Sequence, residues 1–212
     1  MLRAPSSRGP STGARSARVL SRRTIVLAAA VLAGVLLVVL LATGWASGGN
    51  SGVTTVNGNS SAVLYPAGHR PLAPDFSGTT LTGSKLSFAD YRGQVVVLNF
   101  WGSWCVPCRE EASTLAAVAA KYQPSGVSFL GVDVRDTTAS ALAFTHSFHV
   151  GYPSVADPGS AIPLDFTAKV PIAGTPTTLV VDRTGHIAGA VFGTVTYSDL
   201  TAILAKVTAK GG

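Results

Sequence analysis

The run Val95-Val-Val-Leu-Asn-Phe-Trp101 leads through a short turn into Cys105-Val-Pro-Cys108, placing two cysteines three positions apart at the start of a helix-forming stretch. A β-branched and aromatic run followed at once by helix demands a strand-to-helix junction, with its functional groups at the turn. The first N–H groups of a helix lack partners within it and the dipole end there is positive, so a sulfur at that end is stabilised as thiolate. Cys105 and Cys108 are the only cysteines in 212 residues. A disulfide between them closes a very small ring, which restrains little chain entropy and suits a bond that opens and closes. Pro107 fits the first helical turn, where a missing N–H costs nothing. Cys105 is expected at the exposed helix end with Trp104 as its apolar rim, and Cys108 one turn further in.

A redox dithiol is therefore the default reading, and its rivals each lack something. Structural zinc needs four ligands, whereas the chain offers no second Cys-x-x-Cys and only His69, His146, His149 and His186, none at a finger-like spacing after Cys108. A purely structural disulfide more often joins distant parts of a fold. A peroxide-reducing cysteine enzyme is the more serious rival, but Gly102 and Ser103 stand where peroxiredoxins carry Pro and Thr or Ser ahead of the reactive cysteine.

The N-terminus speaks to compartment. Thr24 to Thr43 are twenty uncharged, largely apolar positions, about the length that crosses a bilayer as a helix. Arg3, Arg8, Arg15, Arg18, Arg22 and Arg23 precede it with no acidic residue, which by the positive-inside rule keeps residues 1–23 cytoplasmic and sends the rest outward. The expectation is a single-pass anchor over residues 24–44, with a cleaved secretory signal and a secreted product as the alternative, since Gly44-Trp-Ala46 resembles a small-residue cleavage site. Charge must be divided accordingly. Six of the sixteen Lys plus Arg lie before the apolar run, and the remaining ten balance all ten Asp plus Glu. The basic balance thus reports topology and gives no support for nucleic-acid binding, which needs a basic face on the folded domain itself.

Residues 45–70 are mostly Gly, Ser, Asn and Thr and read as a flexible linker, leaving 71–212 for one domain with a single core. Within it, strands are expected at Val95–Trp101, Val127–Val132, Thr177–Val181 and His186–Phe192, and helices at Val106–Tyr122, Thr138–Phe148 and Ser198–Lys206, with Gly126 and Gly151 as stop signals. Asp182-Arg-Thr-Gly185 is a turn between two strands, hence a hairpin late in the domain. Strands alternating with helices, then a hairpin and a closing helix, make an α/β domain with a central mixed sheet flanked by helices.

Phe100-Trp-Gly-Ser-Trp-Cys-Val-Pro-Cys-Arg-Glu-Glu111, Gly174-Thr-Pro-Thr-Thr178 and Asp182-Arg-Thr-Gly185 together resemble the membrane-tethered thioredoxin-like oxidoreductases of the TlpA/ResA type, from about Leu72 to the C-terminus. The resemblance implies a thioredoxin-like fold with an N-terminal extension and an inserted helix-plus-strand segment, here within 133–171. It also implies thiol:disulfide exchange outside the cytosol in cytochrome c maturation, with apocytochrome c cysteines as substrate and a transmembrane electron-donor protein as partner. No cofactor or metal is expected.

Cys105 is assigned as the attacking thiolate and Cys108 as the sulfur that resolves the mixed disulfide. From the resemblance, Pro176 is a cis-proline facing the dithiol and Thr175 offers backbone groups to an extended substrate. Glu111 matches a glutamate that similar reductases use near the dithiol as a proton acceptor, although first-turn acids also favour the helix dipole and Glu110 is equally available. Asn99 stands where cytosolic thioredoxins carry a buried aspartate. Trp104 is the surface candidate for substrate contact and Trp101 the core one, while His146 and His149 read as exposed imidazoles on a solvated helix face. Oxidation of secreted thiols on the same fold, and a non-catalytic dithiol that binds a metal or a partner, remain as alternatives.

Overall fold

The computed structural model describes residues 31–35, 37, 38, 52–56 and 60–209. In chain order its elements are β1 (Gly52–Val56), β2 (Ser60–Leu64), β3 (Ser77–Thr79), β4 (Lys85–Ser87), β5 (Val95–Trp101), α1 (Val106–Tyr122), β6 (Val127–Val134), α2 (Thr138–Ser147), β7 (Ser154–Asp157), α3 (Ala161–Thr167), β8 (Thr177–Val181), β9 (Ile187–Phe192) and α4 (Tyr197–Thr208). Seven strands form one mixed sheet in the order β1-β2-β9-β8-β5-β6-β7, while β3 and β4 pair separately. β5, β6 and β7 run parallel, as strands linked through helices must, and β8 joins β5 antiparallel.

All seven residues of β5 are buried, which is why the run reads as nearly continuous apolar sequence. Its side chains alternate between two cores. Val95 and Val97 pack with Leu115 and Val118 of α1 and Leu200 and Leu204 of α4. Val96, Leu98 and Phe100 pack on the opposite face with Leu130, Val132 and Phe166. By the same alternation Asn99 faces α1 from within the strand. The stripe Cys108, Glu111, Ala112, Leu115, Val118 and Ala119 is the buried face of α1. Burying a side chain such as Leu115 contributes about 2 kcal/mol, so the helix that carries the cysteines is held by its own core contacts.

Several expectations need correction. The linker over residues 45–70 gives way to β1 and β2, which pair with each other and, through β2, with β9. Ser60-Ser-Ala-Val-Leu64 lies between β1 and β9 with Ala62 buried, and its serines concealed a strand that is paired on both sides. The compact unit begins near Gly49, not Pro71. β6 continues two residues past Val132 to take in Asp133. α3, with Pro163 in its first turn, was not anticipated within the insertion. The stop after α2 falls at His149, whose φ is +55°, and not at Gly151; His149 therefore lies beyond the helix, although both it and His146 are exposed. α1 itself passes at Gln123 into a 3-10 turn over Gln123–Ser125, and it is this turn that Gly126 closes in the left-handed region, at φ +79°.

The Asp182 turn joins β8 to β9 as expected. Asp182 accepts from the N–H groups of Thr184 and His186 and from Arg70, tying the segment after β2 to the hairpin. The expected anchor over 24–44 lies for the most part outside the described residues; 31–35, 37 and 38 are helical. Among the described residues no helix is long and apolar enough to cross a membrane.

Candidate active site

β5 ends at Trp101 and the chain turns tightly, with Cys105 N–H donating to Gly102 O at 3.1 Å. Cys105 is the N-cap of α1, with Pro107 in the first turn. The Cys105 sulfur accepts the Cys108 N–H at 3.2 Å, so a free helix-terminal donor points at it. Cys105 and Cys108 are joined as a disulfide, S–S 2.08 Å. The bond is not at an open helix end: Cys105 is only 4 % exposed and Cys108 1 %. Both pack in an apolar cluster with Leu81, Trp101, Ala112, Ala141 and Phe144, a burial that the local spacing could not convey because Leu81 and α2 come from elsewhere in the chain.

Trp104 is 45 % exposed beside the pair. Its Nε1–H donates to Val134 O at 3.1 Å, and the Arg135 guanidinium lies 4.8 Å from its ring centre, so the indole is fixed against the end of β6. Arg109 donates from Nε and Nη2 to Ser103 O, bracing the turn from the helix side.

Glu111 lies one helical turn beyond Cys108 on the same buried face and is 1 % exposed. That burial removes the first-turn dipole explanation and separates it from exposed Glu110. Its Oε1 accepts from Asn99 Nδ2 at 2.8 Å and its Oε2 from Val195 N–H at 2.8 Å. Asn99 also donates to Thr178 Oγ1 at 3.0 Å, across the β5–β8 pairing in which the two residues are register partners. Burial pushes the Glu111 carboxyl up to about 7 against the lowering pull of these two donors, so its proton is exchangeable near neutrality. Buried Tyr152, whose hydroxyl is pushed above its usual range by burial and by the Glu111 charge, is a further neighbour that sequence reasoning missed.

The Thr175–Pro176 peptide is cis. Phe100 and Thr177 are register partners, so Pro176 stands level with Trp101, at the sheet end from which residues 102–105 emerge. Thr175 is half-buried and lines a groove with Phe100, Val134, Arg135, Leu164 and Ile172. Val195, just past β9, and Asp133, level with Trp101 in β6, come to the same end. Asn99, Glu111, Thr178 and Val195 thus form one hydrogen-bonded cluster from four chain segments. Sequence analysis had only Glu111 and Asn99 from it, since Val195 contributes a backbone group and Thr178 is one threonine among several.

A closed Cys-x-x-Cys disulfide at a helix N-cap, set at the end of a mixed α/β sheet, defines a thiol-disulfide oxidoreductase of thioredoxin-like fold. The chain belongs to the AhpC/TSA family, whose model matches residues 70–190. It is similar to the thiol-disulfide oxidoreductase ResA of Bacillus anthracis, 30 % identical over 136 residues that cover 64 % of this chain and 76 % of that protein. Among solved structures it is similar to a secreted thiol-disulfide isomerase from Corynebacterium glutamicum, with 30 % identity, TM-score 0.65, and 70 % and 92 % of the two chains covered. A DsbF homologue from Corynebacterium diphtheriae is similar at 31 % identity and TM-score 0.61, covering 73 % of this chain and 98 % of that one.

Proposed function

We propose that this oxidoreductase reduces protein disulfides outside the cytosol, in the manner of cytochrome c maturation, anchored through residues 24–44. The observation that carries the chemistry is the Cys108 N–H aimed at the Cys105 sulfur, because the same donor would stabilise a Cys105 thiolate in the reduced protein. That thiolate attacks one sulfur of a substrate disulfide, breaking its S–S bond and releasing the other sulfur as thiolate, which takes a proton. Cys108, deprotonated with Glu111 as acceptor, then attacks Cys105 in the mixed disulfide. Substrate leaves as a dithiol, having gained two electrons and two protons, and the Cys105–Cys108 disulfide is restored.

Thr175 and Pro176 would pair with the extended substrate backbone, and Trp104 would cover its flank. Apocytochrome c cysteines fit as substrate, with a transmembrane electron-donor protein returning the dithiol state. The six arginines before the apolar run support an outward-facing domain.

Direction of electron flow is set by potential: a value near about −270 mV makes the pair a reductant, one near about −120 mV an oxidant of secreted thiols. The chemistry is tested by trapping. Cys108→Ala should accumulate a mixed disulfide through Cys105, and Cys105→Ala should accumulate none; equal trapping by both variants overturns the assignment.

A further inference from the structure

The turn that presents Cys105 is held by a carboxyl pair with no part in the exchange steps above. Asp136 accepts the Ser103 N–H at 2.6 Å through Oδ2 and the Thr137 N–H at 2.7 Å through Oδ1. Asp133, at the end of β6 and 2 % exposed, sets its carboxyl against that of Asp136, whose charge and hydrogen-bonding both favour a proton on it. Its Oδ1 has no partner among the described residues. Two carboxyls joined by a hydrogen bond share one proton between them.

We propose that Asp133 is a positioning residue for the dithiol, holding one proton in a hydrogen bond to Asp136 so that Asp136 stays fixed on the Ser103 amide two residues before Cys105. Which partner holds the proton follows from their surroundings. Burial, then the Asp136 charge and hydrogen bond, push Asp133 up to about 7. Burial works the same way on Asp136, but hydrogen bonds from Ser103, Thr137 and Asp133 outweigh it and hold that carboxyl below its ordinary value. The proton therefore sits on Asp133 below neutrality. Above it, two carboxylates face each other, and the repulsion loosens the grip of Asp136 on the Ser103 turn.

The surroundings offer little else to neutralise Asp133. β5 places Trp101 opposite it, β7 places Ala156, and α2 brings Ala141 and Phe144 to the same cluster as Trp101, none of them ionisable. Asp157, level with Val134, spends its oxygens on the Ala161 and Ile162 N–H groups. Arg135 stacks on Trp104 and forms no ion pair among the described residues.

The inference rests on the reading of Cys105 as the reactive sulfur, but its test does not need turnover. In the oxidised full-length chain the cysteines do not titrate, so the Ser103 amide shift in NMR spectra reports Asp136 directly. It should titrate with a midpoint near 7, together with the Asp133 carboxyl carbon. Asp133→Asn, whose amide donates to Asp136 as the protonated acid does, should hold the Ser103 shift at its low-pH value throughout. Glu111→Gln should leave the titration in place. In the reduced protein, alkylation of Cys105 in Asp133→Asn should match wild type below pH 6 and exceed it above pH 8. A flat Ser103 shift in wild type, a titration surviving in Asp133→Asn, or one abolished by Glu111→Gln would each overturn the proposal, and none of these bears on the thiol exchange itself.

Discussion

Glu111 on α1 and Asp133 on β6 are both buried carboxyls pushed up to about 7, yet they are held in opposite ways. Glu111 accepts one N–H on each oxygen, as an ionised carboxylate prefers, and only burial keeps its proton on. Asp133 has a single carboxyl partner and one orphan oxygen, an arrangement that suits the protonated form. Similar shifts therefore arise from different designs. A carboxyl lined with donors can release its proton without rearrangement and suits proton transfer, whereas one bonded to another acid cannot and suits holding a turn.

The sharpest way to break this contrast is to delete each side chain. Glu111→Ala leaves a cavity and strands the Asn99 and Val195 donors, which should cost about 3–5 kcal/mol in chemical denaturation of the oxidised protein. Asp133→Ala strands no N–H and should cost clearly less. Equal losses would mean that the two sites are held alike.

Next in size is the pH dependence of stability. Both groups bind a proton more tightly folded than unfolded, so their contribution is complete below the ordinary values of 4.5 and 3.8 and is lost as pH rises through about 7. For Glu111 that loss is on the order of 3 kcal/mol. Glu111→Gln should remove its share of the slope while the fold survives, because Asn99 can turn its amide to accept from the new donor. Asp133→Asn should remove the other share independently.

How far the sequence foretold these two sites is itself unequal. β5, α1 and the dithiol were legible because periodicity, a proline in the first turn and cysteine spacing are local signals. Glu111 was legible as a candidate only through the resemblance to similar reductases, with Glu110 equally available, and its burial was not legible, since Asn99, Thr178 and Val195 come together with it only through β5, β8 and the segment after β9. Asp133 left one overlooked signal, an acid enclosed in the apolar run Val127–Val134. β2 was hidden for a related reason: its serines give no strand signal, and its pairing with β9 joins residues more than 120 positions apart.

Smaller effects sharpen the picture of each side. Thr178→Val removes one acceptor from Asn99 and should cost about 1 kcal/mol in the same denaturation experiment. On the other side, Arg135→Ala removes the cation over Trp104 and should cost about 0.5–1 kcal/mol or less. Its clearer readout is fluorescence, where quenching by acrylamide should rise as the indole face is uncovered.

The assignment of the two sulfurs is tested most directly by reacting the reduced full-length protein with limiting iodoacetamide at neutral pH and locating the label by peptide mass analysis. Cys105, the N-cap that receives the Cys108 N–H, should be modified first and at least roughly tenfold faster than Cys108. Slow and equal labelling of both would contradict a nucleophile poised at the helix end.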